Sequence, residues 1–379
     1  MTGNSNIPSV CSNSVFFLNC LLVNARSIVN KLDMLSAIAN SEVLQCIFIT
    51  ETWATDFIPD SLLCPEGYQI FRQDRGSRAG GVLILLKNNI CAIRGPSAPA
   101  ALSGTEVLTV DIICDASKLR LILIYHPPVD SRDKFKCDLL IKHLVTVVSV
   151  DFPVVMLGDF NKPGIVWNSF TTKSSIDEKF LNFISSNGFQ QMVEFPTKGE
   201  NFLDLVFTNV PNTVCDFVCE APLSDKDNPP HVGVGFKIAN IGLTEREVST
   251  RYRFYPGTDF VTASSILADV PWQSKLDNSA DINDMWCTFK TTLNQVLDAC
   301  VPTRPVKKSK GHYSLKSRKI KVALNKKLNA WRKYKQSNSL ALLDKYKYLA
   351  KQYKAIVKET AESIERKIIT SKDVTVMHR

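Results

Sequence analysis

The chain has 379 residues, of which 45% are hydrophobic and 22% are charged, and its formal net charge is +9. This length allows more than one domain, and this composition is typical of a globular protein and excludes a disordered one. No apolar run approaches the ~20 residues that a membrane span needs, and the run at 15–23 lacks the flanking features of a signal peptide. Eleven cysteines, mostly inside apolar runs, are typical of free thiols in a reducing compartment. We therefore expect an intracellular protein that is not secreted and has no membrane partner.

The positive charge is concentrated in one segment. Between Arg304 and Lys335 there are thirteen lysines and arginines and no acidic residue, so the rest of the chain carries about −4. Such a run is often only a solvated helix face or a localisation signal. It also suits a phosphate-rich partner, because closely spaced cations repel each other unless they meet an anion.

Short segments rich in Val, Ile and Leu, bounded by Gly, Pro, Asn or Asp, predict eight strands. They are 15–23, 43–50, 81–87, 106–113, 119–125, 153–157, 202–209 and 231–238. Apolar residues at helical spacing predict helices in 27–38, 135–144 and 177–188. Several neighbouring strands have no helix between them, which argues against a simple parallel series. Sheets covered by helices on their outer faces fit the pattern better.

The composition changes after about residue 240. A linker leads into helical text, and a proline-marked joint precedes two basic helices. The spacing in the first of these predicts an apolar seam of Ile320, Leu324, Leu328 and Trp331, with Lys321, Lys326, Lys327 and Lys333 largely on the other faces. We predict a polar leader at 1–14, a strand-rich domain at 15–238, a linker with a helical segment at 239–306 and a basic helical region at 307–379.

Polar side chains directly follow several predicted strands. The strand in "PVVMLGDFNKPG" ends at Asp159, and Asn161 points to the same side if the extended period continues. A turn would explain these two residues alone, because Asp, Asn and Gly favour turns. Other strand ends carry chemically related residues, which are Asn24, Glu51, Tyr125 and Asp204, and a later stretch adds Asp225, Asp227 and His231.

Each of these residues also has a purely structural explanation, such as a helix cap, a packing residue, a buried hydrogen-bonding group or a surface histidine. Together they supply oxygen ligands for a hard divalent cation, which suits Mg²⁺ or Mn²⁺ better than zinc. Phosphodiester hydrolysis needs a metal beside the phosphate, a base for water and a donor toward the developing charge. The set therefore favours that chemistry over isolated turns.

The motifs "LLVNARSIVNKLDML", "FITETW", "LILIYHPP", "VVMLGDFN" and "FPTKGENFLDLVFTN" occur in this order. They resemble the exonuclease–endonuclease–phosphatase superfamily, and in particular the apurinic-endonuclease-like nicking domain of non-LTR (LINE-type) retrotransposons. The resemblance covers roughly 15–238 and implies an α+β fold, a four-layer α/β/β/α sandwich of two packed, mostly antiparallel sheets followed by a helical basic C-terminal region. The part after 240 resembles the connector toward a reverse transcriptase, so we expect an N-terminal fragment or a truncated product.

The resemblance also implies a role for each matching residue. Glu51 would hold the divalent metal, with Asn24 in the same cluster. Asp159 would activate or orient the attacking water, and Asn161 would help to place the phosphate. Tyr125 would lie against the scissile phosphate.

Three further residues belong to the last matching motifs. Asp204 would brace the site from a neighbouring strand, and His231 would donate toward a phosphoryl oxygen. Thr197 matches a loop position of the retroelement branch and is a candidate substrate contact.

One departure from the family pattern concerns its adjacent Ser-Asp-His. Here the stretch reads "SDKDNPPH", from Ser224 to His231, so proline precedes the histidine. Asp227 or Asp225 would have to reach His231 across this loop, or the pair is lost.

We predict a Mg²⁺-dependent DNA endonuclease that nicks one strand and leaves a 3′-hydroxyl for retrotransposition. DNA would be the partner, and Lys321, Lys326 and Lys327 would contact it. The basic helices could bind element RNA as a second partner. We expect the protein in the nucleus. A chain ending near residue 240 is expected to keep metal-dependent nicking and to bind DNA more weakly. The alternatives are another phosphatase or phosphodiesterase of the superfamily and a catalytically decayed nucleic-acid-binding remnant.

Overall fold

The computed structural model describes residues 17–41, 44–76, 79–102, 104–114, 117–224, 228–239, 251–277, 282–305 and 317–370. The predicted polar leader at 1–14 and the pair Asp225 and Asp227 lie outside these ranges. No helix within the described ranges is long and apolar enough to cross a membrane.

The strands are, in chain order, β1 (Phe17–Asn24), β2 (Cys46–Thr50), β3 (Tyr68–Gln73), β4 (Val82–Lys87), β5 (Ala92–Arg94), β6 (Glu106–Ile113), β7 (Lys118–Tyr125), β8 (Val154–Asp159), β9 (Ile165–Val166), β10 (Thr171–Thr172), β11 (Gln190–Gln191), β12 (Asp204–Thr208), β13 (Val214–Glu220), β14 (Gly233–Ala239), β15 (Arg251–Arg253) and β16 (Thr303–Pro305). The α-helices are α1 (Leu32–Ser41), α2 (Asp60–Leu63), α3 (Lys134–Val148), α4 (Ser175–Ser186), α5 (Phe260–Ala268), α6 (Trp272–Asp277), α7 (Ile282–Cys300), α8 (Arg318–Ser337) and α9 (Leu340–Thr370).

Two six-stranded sheets form the centre of the fold. The first has the order β13-β14-β1-β2-β4-β3 and the second has the order β11-β12-β8-β7-β6-β5. Each sheet contains one parallel pair, β1 with β2 and β7 with β8, and its other pairs are antiparallel. The two sheets are therefore mostly antiparallel, as predicted.

Apolar side chains from the facing surfaces of the two sheets form the central core, which includes Leu22, Phe48, Leu123 and Leu157. Alternate residues of the same strands point outward and are also buried, because helices cover both outer faces. Strands buried on both faces read as continuous runs of Val, Ile and Leu, which explains why the sequence pattern is not alternating.

Different helices cover the two outer faces. On the second sheet, α3 and α4 pack through Leu140, Leu144, Phe180 and Ile184. On the first sheet, α1 is joined by the two C-terminal helices, whose Ile320, Leu324, Tyr353 and Val357 pack in one cluster with Ile47, Ile49, Leu83 and Leu85. The predicted four-layer α/β/β/α sandwich is confirmed.

The hairpin of α8 and α9 is thus part of the outer layer of the sandwich. The described residues of 1–246 and 313–379 form one compact unit, and the described residues of 247–312 form a second. The indole Nε1–H of Trp331 donates to the carbonyl oxygen of Cys219 at 3.0 Å, and Arg332 pairs with Glu220 at 3.0 Å. A chain ending near residue 240 would lose this cover, so the expectation that it keeps its activity does not fit this packing.

The second unit has its own small core. The helices α5 and α7 pack through Ala263, Val296 and Cys300, and β15 pairs with β16. The indole of Trp272 lies 5.4 Å from the ring of Phe289.

Two predicted details differ in the structure. Lys327 was expected on an outward face of α8, but its side chain is buried, with its Nζ 5.5 Å from the ring centre of Tyr353. Its aliphatic stem continues the apolar seam inward, where a second helix covers it. Phe135, one of the apolar positions whose spacing predicted the helix at 135–144, lies in the first turn of α3 and is 68% exposed, so it is not part of the buried face.

Candidate active site

The ends of three strands of the second sheet bring a phenol and two carboxylates into one row. Tyr125 ends β7 and Asp159 ends β8, and these residues are direct partners in the parallel register. Asp204 begins β12 and is the antiparallel partner of Asp159. Side chains in register across neighbouring strands point to the same face of a sheet. All three therefore project toward the first sheet.

The first sheet contributes an amide and a carboxylate to the same place. Asn24 ends β1, and Glu51 follows the last residue of β2. The side-chain Nδ2 of Asn24 donates to Glu51 Oε1 at 2.9 Å and to Asp159 Oδ2 at 3.1 Å. Asn24 thus joins the two sheets at the site and holds two carboxylates near each other.

The backbone at these strand ends is unusual. Glu51 and Asn161 have φ angles of 50° and 48°. The left-handed region costs most residues roughly 1–2 kcal/mol, although asparagine tolerates it better. Residues held in this way cluster at functional sites, where the surrounding structure fixes them.

Gly158 explains how Asp159 reaches its position. Its φ is 137°, and a Cβ added there would overlap the carbonyl oxygen of Ile124 on β7. Only glycine allows this close approach of the two strands. The Gly-Asp pair in "GDFN" therefore has a packing reason as well as a chemical one.

The histidine has an acidic partner, which the sequence did not identify. His231 Nδ1 lies 2.7 Å from Asp204 Oδ2, and both side chains are buried. Asp225 and Asp227, the partners considered from the sequence, lie outside the described residues. The acidic partner that the structure shows beside His231 lies on β12, 27 residues earlier in the chain.

The loop that begins with "FPTKG" fixes this pair. The hydroxyl oxygen of Thr197 accepts the backbone N–H groups of Leu203 and Asp204 at 3.0 and 2.9 Å. The carbonyl of Thr197 accepts the N–H of Val232 at 2.8 Å, directly after His231. Through these hydrogen bonds Thr197 holds both members of the pair. Because Thr197 is fully buried, its side chain is not exposed to a substrate.

Asn161 lies beside Asp159 and is anchored from the second sheet. Its backbone N–H donates to Asp159 Oδ1 at 3.2 Å, and its Nδ2 donates to the carbonyl of His126 at 2.9 Å. His126 is itself buried, with its Nδ1 2.8 Å from the Thr105 hydroxyl. These contacts fix the amide of Asn161 next to the carboxylate row.

The buried charges perturb one another. Burial raises the pKa of Asp159, the negative charge of Asp204 raises it further, and the net pKa is about 8 although His231 and Asn24 oppose the shift. Burial lowers the pKa of His231, but the charge and hydrogen bond of Asp204 outweigh it and give a pKa of about 9. Burial and the charges of Glu51 and Asp159 raise the pKa of Tyr125. His231 is therefore a cation and Tyr125 is neutral at pH 7.

The donor set fits a hard cation. Carboxylate oxygens of Asp159 and Asp204 and a ring nitrogen of His231 lie within 4.8 Å of one another. Asp204 Oδ1 is buried and has no hydrogen-bond partner among the described residues. A buried carboxylate oxygen without a partner is costly unless a cation satisfies it. Carboxylate oxygens suit Mg²⁺ or Mn²⁺, so an acidic cluster able to hold a metal is present.

Sequence reasoning did not identify Arg75. Its guanidinium carbon lies 5.3 Å from the ring centre of Tyr125, and its side chain pairs with Glu106 of β6. The only sequence signal was the position of Arg75 in the glycine-containing segment "RGSRAGG" before β4. Arg75 adds a cation to the side of the site that Tyr125 occupies.

The lysines predicted to contact DNA lie on α8, in the outer helical layer. Lys321 and Lys326 are exposed. Lys327 is buried in the hairpin, as described above. The carboxylate site and these cations therefore belong to different layers of the same compact unit.

Part of the chain matches a known protein family. A family model described as endonuclease–reverse transcriptase matches residues 119–227, which include Tyr125, Asp159, Asn161, Thr197 and Asp204. No curated protein is significantly similar to the chain.

Among solved structures, one similar protein is the endonuclease domain of TRAS1, a telomere-specific non-LTR retrotransposon. It is 15% identical to this chain, with a TM-score of 0.43, and the alignment covers 59% of this chain and 98% of that one. An AP endonuclease from Archaeoglobus fulgidus is 14% identical over 58% of this chain and 99% of that one, with a TM-score of 0.46. The 3′ phosphatase NExo from Neisseria, bound to a product DNA hairpin, gives the same identity, coverage and TM-score. The family-model match confirms the resemblance of this chain to the exonuclease–endonuclease–phosphatase superfamily.

Proposed function

We propose that this protein is a Mg²⁺-dependent DNA endonuclease that nicks one strand and leaves a 3′-hydroxyl. The observation that carries the proposal is the Asp204–His231 pair, which faces the carboxylate of Asp159 across the strand ends. A cationic histidine beside two carboxylates is suited to a substrate that carries negative charge and gains more during hydrolysis.

Each group has a chemical task at a named atom. In its ionised form, the carboxylate of Asp159 accepts a proton from the attacking water. His231 keeps Nδ1 bonded to Asp204, which leaves Nε2 to donate toward a phosphoryl oxygen. Asn161, fixed by the carbonyl of His126, offers its amide to the phosphate.

The metal would be held by Glu51 together with the carboxylates of the row, and Asn24 would keep Glu51 and Asp159 at the required spacing. When bound, Mg²⁺ neutralises phosphate oxygens and lowers the pKa of water. Asp204 Oδ1, which has no partner among the described residues, is one oxygen that the cation would satisfy.

The decayed-remnant alternative rested on the altered "SDKDNPPH" stretch. The Asp204 carboxylate now gives His231 a buried acidic partner at 2.7 Å, which supports a working histidine. A phosphatase of the superfamily would need the same carboxylates, so a phosphatase and an endonuclease differ here only in their substrate and product. The basic hairpin favours nucleic acid as the substrate.

The experiment is cleavage of an end-labelled DNA duplex in Mg²⁺, followed by primer extension from the product. The proposal predicts that a DNA polymerase extends the new end without prior phosphatase treatment, because the end is a 3′-hydroxyl. His231→Gln should slow cleavage by about 10²-fold or more, as expected for a lost proton donor. Hydrolysis of phosphate monoesters alone, with intact DNA, would favour the phosphatase alternative.

A further inference from the structure

A groove of about 670 Å³ lies between the α8–α9 hairpin and two loops of the sandwich. The loops are 196–199 and 228–232, and we call this feature the hairpin groove. Four lysines of the helices line it, and none of its described lining residues is acidic. They are Lys335, Lys347, Lys351 and Lys354. The nearby carboxylate of Glu220 is paired with Arg332.

The same two loops also build the candidate active site. Val232 lines the groove, and the preceding residue, His231, faces Asp204. Pro196 and Gly199 line the groove on either side of Thr197 and Lys198, and Thr197 holds Asp204 in place. The two loops therefore form a shared rim, on which Val232 faces the hairpin groove and His231 faces Asp204.

The hairpin is fixed against this rim. Val232 is buried with Trp331, Tyr346 and Ala350 in one apolar cluster. The Nε1–H of Trp331 donates to the carbonyl of Cys219 on β13. The groove thus has an apolar floor that is packed against the sandwich and an edge of exposed lysines.

We propose that the hairpin groove binds the phosphodiester backbone of the DNA strand that flanks the cleaved bond. Lysine ammonium groups act as point charges toward phosphate, and each phosphate contact releases condensed counterions. The lysines of the hairpin add positive charge beside a site that is rich in carboxylates, which favours the approach of DNA. This inference rests on the proposed function and assigns the flanking part of its substrate to an element outside the matched residues 119–227.

The test compares two triple variants of the full chain with equal charge changes. The groove variant carries Lys335→Gln, Lys347→Gln and Lys351→Gln. The control variant carries Lys134→Gln, Lys142→Gln and Lys173→Gln, which are exposed lysines at or beside α3 and α4 on the opposite outer layer. Binding of a labelled DNA duplex is followed by fluorescence anisotropy in EDTA, so that cleavage plays no part, across a series of salt concentrations.

The groove variant should lose about tenfold or more in affinity at low salt, and the slope of log affinity against log salt should decrease by about two to three. The control variant should keep a slope near that of the wild type. Equal losses in both variants, or an unchanged slope in the groove variant, would overturn the proposal. A groove variant that loses binding to RNA of the same sequence but keeps DNA binding would overturn it too.

Nicking by the wild-type protein is measured separately to keep the two proposals apart. If the wild type nicks DNA and the groove variant binds like the control, only the groove assignment fails. If the groove variant alone loses DNA binding while the wild type does not nick, the endonuclease proposal fails and the groove remains a DNA-binding surface.

Discussion

Replacement of Trp331 by alanine tests whether the α8–α9 hairpin is a structural layer of the sandwich. The indole is 5% exposed, packs with Val232, Tyr346 and Ala350, and donates one hydrogen bond to Cys219. Truncation of a buried tryptophan costs about 3–5 kcal/mol, and the lost hydrogen bond contributes about 1 kcal/mol of unfolding free energy. Since domains of this kind have unfolding free energies of about 5–15 kcal/mol, the variant should lose a large fraction of its stability.

Urea denaturation followed by far-UV circular dichroism measures this loss directly, and the melting temperature should decrease by roughly 10 °C. Trp286→Ala is the matched control, because Trp286 is 61% exposed and belongs to the separate unit at 247–312. The control should lose less than about 1 kcal/mol. A Trp331→Ala protein within about 0.5 kcal/mol of the wild type would refute the docked hairpin.

Three further predictions concern the candidate active site. NMR titration of the metal-free protein should give His231 a pKa of about 9 in the wild type and a clearly lower pKa in Asp204→Asn, because Asp159 alone then opposes the effect of burial. An unchanged pKa in the variant would exclude this partner. Because the pKa of His231 is raised in the folded protein, its contribution to stability is full below pH 6.5 and is lost as the pH rises to about 9. The melting temperature should therefore decrease over this pH window in the wild type and decrease less in Asp204→Asn. An equal decrease of the melting temperature with pH in both proteins would contradict the pairing. Glu51→Gln should weaken Mg²⁺ binding measured by calorimetry by about tenfold or more, whereas the exposed control Glu194→Gln should not, and equal affinities would remove Glu51 from the metal site.

The strands and the sheet class could be predicted because their signal is local. Segments such as β2, β4, β7 and β8 are continuous apolar runs, and burial on both faces leaves that mark in the sequence. The strands β3 and β13 were not predicted. β3 is mostly half-buried at a sheet edge, and β13 contains an irregularity between Cys215 and Val218 that breaks the alternating pattern.

The composition of the site was visible in the sequence, but its pairing was not. Residues at the ends of buried strands were expected to meet, and the structure does bring Asn24, Glu51, Tyr125 and Asp159 together. The partner of His231 depends on the register of β12 against β8, which puts Asp204 beside Asp159. Register is set by the three-dimensional sheet, so adjacency in the chain gave no information about it.

The surface that the α8–α9 hairpin covers also could not be predicted from the sequence. The spacing of Ile320, Leu324 and Trp331 indicated that α8 buries one face. It could not indicate which surface covers that face, because any exposed apolar sheet face would serve equally well. The charge of α8 was interpreted as a nucleic-acid contact, and it gave no sign that the apolar seam of this helix completes a layer of the fold.

Nicking of supercoiled plasmid DNA in Mg²⁺ by the wild type and Asp159→Asn tests the central claim most directly. Asp159 is buried at the end of β8, and Asp151→Asn is the matched control, because Asp151 is exposed just before the same strand. The proposal predicts relaxed circles from the wild type and the control, none in EDTA, and a rate about 10²–10⁴-fold lower for Asp159→Asn. Equal nicking by the wild type in EDTA, or by Asp159→Asn in Mg²⁺, would contradict a metal-dependent site built on this carboxylate.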